Sequence, residues 1–120
     1  DCDVCVPVDR VAEFLAQAEA RLTALDAGFR SLTVAHLGDG NLHYSAFPSH
    51  DDAALKEAVM EVVEDVVQDL GGSFSAEHGI GLSKLPSMRR RKDPVALSVM
   101  RAVKVALDPA GVMNPGKVVP

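Results

Sequence analysis

Asp39-Gly40 stands between two short stretches with strand character, Ser31–Leu37 and Asn41–Phe47. A two-residue type I′ turn needs φ > 0 at both central positions, and Asp-Gly accepts that geometry readily. The middle of the chain is thereby committed to a β-hairpin. A turn centred on this pair sets Gly38 opposite Asn41, Leu37 opposite Leu42 and His36 opposite His43. Directly opposed side chains have Cβ atoms about 4.5–5.5 Å apart. Asn41 shares a face with His43, because side chains alternate along a strand.

The segments around the hairpin complete a pattern. Val4–Val8 reads as a first strand. Asp9 is placed to cap a helix over 10–25, whose Val11, Phe14, Leu15, Ala18, Leu22 and Leu25 follow the 3.6-residue period. Asp52 to Leu70 forms a second helix with a broad apolar stripe, stopped by Gly71-Gly72. Ser73–Glu77 reads as a fourth strand. The order β-α-β-β-α-β predicts an α+β, ferredoxin-like unit over residues 1–81, with both helices on one sheet face. The other face is left open for a site or for another domain. Residues 82–120 form a helical extension of the same domain. Within it, 82–92 is irregular or weakly helical, Asp93-Pro94 starts a helix that runs to Leu107, and a compact, turn-rich tail follows.

Composition narrows the class. Of the 120 residues, 48% are hydrophobic and 24% charged, and there is no Trp, so Val, Leu and Ala build the core of one soluble domain. The net charge of −5 argues against non-specific nucleic-acid binding. No apolar run approaches the ~20 residues of a membrane span. Asp1-Cys-Asp-Val-Cys-Val-Pro reads like the middle of a protein, so the chain is expected to be a piece of a longer one. Cys2 and Cys5 form a lone C-x-x-C on a strand, which turns them to opposite faces. A pair of structural thiols is the expectation.

The chemistry concentrates in two segments, His36-Leu-Gly-Asp-Gly-Asn-Leu-His43 and Ser75-Ala-Glu-His-Gly-Ile-Gly81. Two hairpin imidazoles with the carboxylate of Glu77 and the imidazole of His78 offer enough donors for one metal ion and one imidazole left over for proton transfer, and the roles of Glu77 and His78 are open to exchange. Zinc accepts this donor set, with imidazole nitrogens at about 2.0–2.1 Å. In a regular strand Glu77 and His78 would point apart, so both serve one site only if the chain turns at Gly79. Without further context, opposed hairpin histidines are more often surface cross-strand neighbours than ligands.

These two motifs, followed by Leu107-Asp-Pro-Ala-Gly-Val-Met-Asn-Pro-Gly-Lys117, resemble in order and spacing the C-terminal part of FAD-linked oxidases. The closest group looks like the D-2-hydroxy acid dehydrogenases: D-lactate dehydrogenase, the glycolate oxidase flavin subunit and D-2-hydroxyglutarate dehydrogenase. The resemblance implies an enzyme that oxidises a 2-hydroxy acid to the 2-oxo acid with FAD as acceptor. It implies that His36, His43 and Glu77 bind a divalent metal, zinc or manganese, which holds the substrate oxygens. It implies that His78 is the general base, that Asn41 and His78 contact substrate, and that Asn114 and Lys117 lie near the flavin. Such enzymes begin with a FAD-binding domain, and this chain has no such domain. That domain is an expected partner in cis, and these residues alone are expected to be inactive. A cytoplasmic location follows, with peripheral membrane association through partner subunits as a second option, and the exposed sheet face offers a route to a homo-oligomer.

Other readings stay open. A stand-alone ferredoxin-like module binding a metal or small ligand for regulation would suit the same fold. A zinc hydrolase using His36, His43 and Glu77 would suit the same donors. His50 reads as a loop residue, and Arg89–Lys92 as a solvated charge run. Lys84, just after the Gly-Ile-Gly turn, is a further candidate for substrate or flavin contact, and Asp39 reads as a turn residue, with support of a metal-bound histidine as the alternative.

Overall fold

A computed structural model describes all residues, Asp1–Pro120. The chain divides into two compact units, Asp1–His78 and Gly79–Pro120.

The first unit carries strands β1 (Cys2–Cys5), β2 (Arg30–His36) and β3 (Asn41–Phe47), and helices α1 (Val11–Leu25) and α2 (Ala53–Asp69). The strands form one antiparallel sheet in the order β1-β3-β2. Val4, Leu42 and Tyr44 turn to one face and meet Phe14, Ala18 and Leu22 of α1 and Val59, Val63, Val66 and Val67 of α2. Both helices therefore cover the same side, as their apolar stripes predict. Phe14 packs edge-on against Tyr44, with ring centroids 5.5 Å apart. The opposite face carries Asp3, Asn41, His43, His36 and Val34, by the alternation of the paired register.

Four expectations are corrected. The first strand ends at Cys5 rather than Val8, because Val8–Arg10 winds into a short 3-10 turn. That turn makes Arg10 the N-cap of α1, and Asp9 caps nothing with its side chain. Asp52, by contrast, caps α2, accepting from the Leu55 amide at 2.7 Å.

The hairpin register is also shifted. His36 pairs with Asn41 and Val34 with His43, leaving residues 37–40 as the loop. Leu37–Asp39 forms a 3-10 turn, and only Gly40 is left-handed, with φ 68°. A Cβ on Gly40 would lie 2.0 Å from the Val6 carbonyl oxygen, so glycine is required twice over. The shift moves the pairing by two residues, and His36 stays on the same face as His43.

The fourth strand, expected over Ser73–Glu77, is reduced to an isolated bridge between Ser73 and Cys5. The Ser73 hydroxyl bonds the Ser75 backbone and turns the chain there. Beyond the turn, the Ala76 amide donates to the Asp3 carbonyl at 3.1 Å, so the segment still tracks β1.

The second unit contains α3 (Leu85–Arg91) and α4 (Pro94–Leu107). Asp93 caps α4 by accepting from the Ala96 amide at 2.9 Å, and Pro94 takes the first helical position. Asp108 organises the tail, accepting from the Val112 and Met113 amides at 2.9 Å each and from the Lys104 ammonium. Asn114 sits at a left-handed φ of 47°, a conformation asparagine tolerates. No helix is long and apolar enough to cross a membrane.

Candidate active site

The open sheet face and the turn after Ser73 bring four side chains together. Asp3, His43, Glu77 and His78 each offer a donor atom, and these atoms all lie within 4.8 Å of one another. Asp3 comes from the middle of β1, directly opposite His43 on β3. Glu77 and His78 arrive from the turn, where both backbone amides bend toward the Asp3 carboxylate. The Glu77 amide donates to Asp3 Oδ2 at 3.2 Å and the His78 amide at 2.9 Å. The chain turns as the shared use of Glu77 and His78 requires, and Gly79 follows at φ 72°.

The His43 and His78 rings stack, with centroids 5.1 Å apart and an interplanar angle of 17°. Their Nε2 atoms both face Glu77 Oε1, at 3.2 and 3.4 Å. Their Nδ1 atoms both face the Asp3 carboxylate, at 3.9 Å each. Asn41 Nδ2 donates to Glu77 Oε2 at 3.0 Å. The Asn41 carbonyl oxygen is buried without a partner. An orphaned buried acceptor is costly, by about 1–3 kcal/mol, and is commonly explained by an ion, a water or a function.

Exposure rises in order across the site. The Asp3 side chain is 5% exposed, His43 25%, Glu77 46% and His78 60%. Asp3 is the floor and His78 the rim. A small ligand reaching the site from solvent meets His78 and Glu77 first.

The donor set suits a divalent cation. Ligands held tetrahedrally at about 2.0–2.1 Å from zinc lie roughly 3.3–3.4 Å from one another. The Nε2-to-Oε1 separations at Glu77 match that spacing. His36 is not in the tight cluster. Its ring stands edge-on to His43, with centroids 5.6 Å apart, so it is a neighbour on the same face.

Asn114 and Lys117 belong to the second unit, where with Val99, Val103, Lys104 and Met113 they line an open groove of about 540 Å³ beside α4. His50 bonds Ser49 in an exposed loop, as expected of a loop residue. Cys2 and Cys5 form no disulfide. Asp3 is the residue that motif reading passed over. The signal was present: aspartate is depleted in strands, yet Asp3 lies between strand-forming neighbours.

The family described as FAD linked oxidases, C-terminal domain, matches residues 1–118. Among individual relatives, the chain is 36% identical over 122 residues to a D-lactate dehydrogenase of Anaerostipes hadrus, covering 98% of this chain and 25% of that protein. It is 36% identical over 123 residues to a D-2-hydroxyglutarate dehydrogenase of Stutzerimonas stutzeri (strain A1501), covering 97% of this chain and 26% of the relative. It is 36% identical over 118 residues to the mitochondrial D-2-hydroxyglutarate dehydrogenase of Bos taurus, covering 98% of this chain and 21% of the relative. The chain thus spans about a quarter or less of the length of these relatives.

Proposed function

Because the chain belongs to the family of FAD linked oxidases, C-terminal domain, we propose that it is the substrate-binding part of a flavoprotein that oxidises a D-2-hydroxy acid to the 2-oxo acid. The substrate is of the lactate, glycolate or 2-hydroxyglutarate type. Residues 1–78 are a ferredoxin-like unit whose fourth strand has shrunk to the Ser73 bridge. The observation that carries the reading is the gathering of His43, Glu77 and His78 at the open sheet face, with His43 Nε2 3.2 Å from Glu77 Oε1.

His43 and Glu77, joined by His36 from the same face, would hold a divalent cation such as zinc or manganese. When bound, that cation supplies Lewis acidity to the hydroxyl and carboxylate oxygens of the substrate. FAD, carried by a domain outside these residues and approached by Asn114 and Lys117, supplies the two-electron acceptor. His78, at the exposed rim, takes the hydroxyl proton at Nε2 as the carbinol C–H bond breaks and its hydrogen leaves with the electron pair for the flavin. Asn41 offers its unpaired carbonyl oxygen to the substrate and keeps Glu77 oriented through its amide nitrogen.

The test is made on the whole flavoprotein to which these residues belong, with D-lactate, glycolate and D-2-hydroxyglutarate as substrates and a dye as electron acceptor. Metal content by elemental mass spectrometry is read beside turnover. His36→Ala and His43→Ala are expected to lose the metal, and His78→Asn to keep it while kcat falls about 10²–10⁴-fold. Loss of metal in a His78 variant with retention in His36→Ala would exchange their roles. Full turnover in His78→Asn would remove the proposed base.

A further inference from the structure

We infer that Val34, with Leu32 behind it, receives the carbon chain of the substrate and selects aliphatic 2-hydroxy acids over dicarboxylic ones. The inference rests on the proposed oxidation of a 2-hydroxy acid and names which members of that class the site prefers. The paired register lays the open face out in rows across the sheet. Cys5, Asn41 and His36 form one row, and Asp3, His43 and Val34 the next. Ser45 and Leu32 follow, then Phe47 and Arg30. The polar groups of the site fill the first two rows. On the β1 side, the turn that carries Glu77 and His78 is hydrogen-bonded down onto Asp3. On the β2 side the face runs on over Val34 and Leu32, which are 60% and 59% exposed. The sheet face therefore has a polar half and an apolar file that begins beside His43.

Val34 is the direct cross-strand partner of His43. Their Cβ atoms lie about 4.5–5.5 Å apart. The carbinol carbon of a 2-hydroxy acid has four substituents. Its hydroxyl and carboxylate are taken by the polar half, and its hydrogen must face the flavin. The fourth substituent, the carbon chain, is directed away from the Glu77–His78 side and lies over Val34. Charge points the same way. Apart from the histidines, Arg30 is the one basic side chain on the strands of this face. It stands four residues from Val34, about 13 Å along the strand. Beside Leu32, the Ser45 hydroxyl is bonded to the Asp1 carboxylate at 2.5 Å. A second substrate carboxylate over this file would be desolvated beside apolar side chains, would meet a charge of its own sign and would find no cation.

The test uses the whole flavoprotein with a dye as electron acceptor and compares kcat/KM across D-lactate, D-2-hydroxybutyrate, D-2-hydroxyvalerate and D-2-hydroxyglutarate. Wild type is expected to gain about two- to fourfold with each added methylene and to prefer the valerate to the glutarate, which has the same number of carbons. Val34→Thr keeps the branched shape and adds a hydroxyl, and should flatten the aliphatic series. Val34→Arg should raise the glutarate relative to the valerate by at least about tenfold. These are ratios between substrates, which a general loss of fold or of metal does not reorder. A wild type that prefers the glutarate to the valerate would overturn the inference, and that comparison needs no variant. Ratios unchanged in folded Val34→Thr and Val34→Arg proteins would also overturn it, while turnover of these acids would leave the proposed function standing. Failure to oxidise any 2-hydroxy acid would remove the inference and the proposed function together.

Discussion

Asp3 and Asp108 do the same local job in two different ways. Each gathers two consecutive backbone amides, those of Glu77 and His78 in one case and of Val112 and Met113 in the other. Asp3 reaches across 74 and 75 residues, whereas Asp108 reaches across 4 and 5. The turn held by Asp3 exists only when β1 and the Ser73 segment have met. The tail held by Asp108 is organised by its own helix end. Their surroundings differ as well. The first unit closes a core in which Phe14, Leu22, Leu42 and Val63 are fully buried. In the second, Val95, Val99, Val105 and Leu107 of α4 stay more than half exposed. The candidate site lies where the hydrogen bonds are long-range and the packing is closed.

The strongest way to break this contrast is to damage the first core. Phe14→Ala removes a fully buried ring and its edge-on contact with Tyr44, at a cost of about 3–5 kcal/mol in urea unfolding. Amide exchange at Glu77 and His78 is expected to accelerate with that loss, while Val112 and Met113 respond less. Equal acceleration at both pairs would erase the distinction between tertiary and local anchoring.

A smaller effect comes from acid. The Lys104 ammonium beside Asp108, with the Met113 and Val112 amides, holds its carboxyl down from 3.8 to about 2. A lowered carboxyl pKa stabilises the folded form above its unfolded value and loses that contribution as pH falls. The tail should therefore loosen between about pH 4 and pH 2, seen as faster exchange at Val112 and Met113. Asp108→Asn should show faster exchange already at neutral pH and a flatter response across the same interval. An unchanged acid profile in the variant would remove Asp108 as the anchor.

The smallest effect is expected on the open side of α4. Leu107→Ser, at a side chain 73% exposed, should change stability by no more than about 0.5 kcal/mol. A loss of several times that amount would mean that this face is covered in solution.

How much of this was legible in the sequence depends on which force sets each feature. Helices α1 and α2 could be read because their apolar periods must meet a core. The site histidines could be read because a motif fixes residue types at fixed spacing. The hairpin register could not, since Asp39-Gly40 suits a two-residue turn locally, yet the close approach of Gly40 to Val6 selects a longer loop. The prediction for His36 and His43 survives in part: they are neighbours on one face, not a directly opposed pair. The fourth strand failed for a related reason. Glu77 and His78 give their amides to a side chain of β1 instead of continuing the ladder, and no local propensity records that choice. The same long-range bond hid Asp3, whose role depends on residues far along the chain.

The reach of Asp3 also bears on how the protein is made. A chain emerging from the ribosome presents Asp3 first and His43 next, but neither Glu77 nor His78 until α2 has been synthesised. Contacts of such separation form late, after the loop-closure entropy has been met. An interrupted or truncated chain therefore carries only part of the cluster. Assembly of the four side chains reports that the whole first unit has been completed.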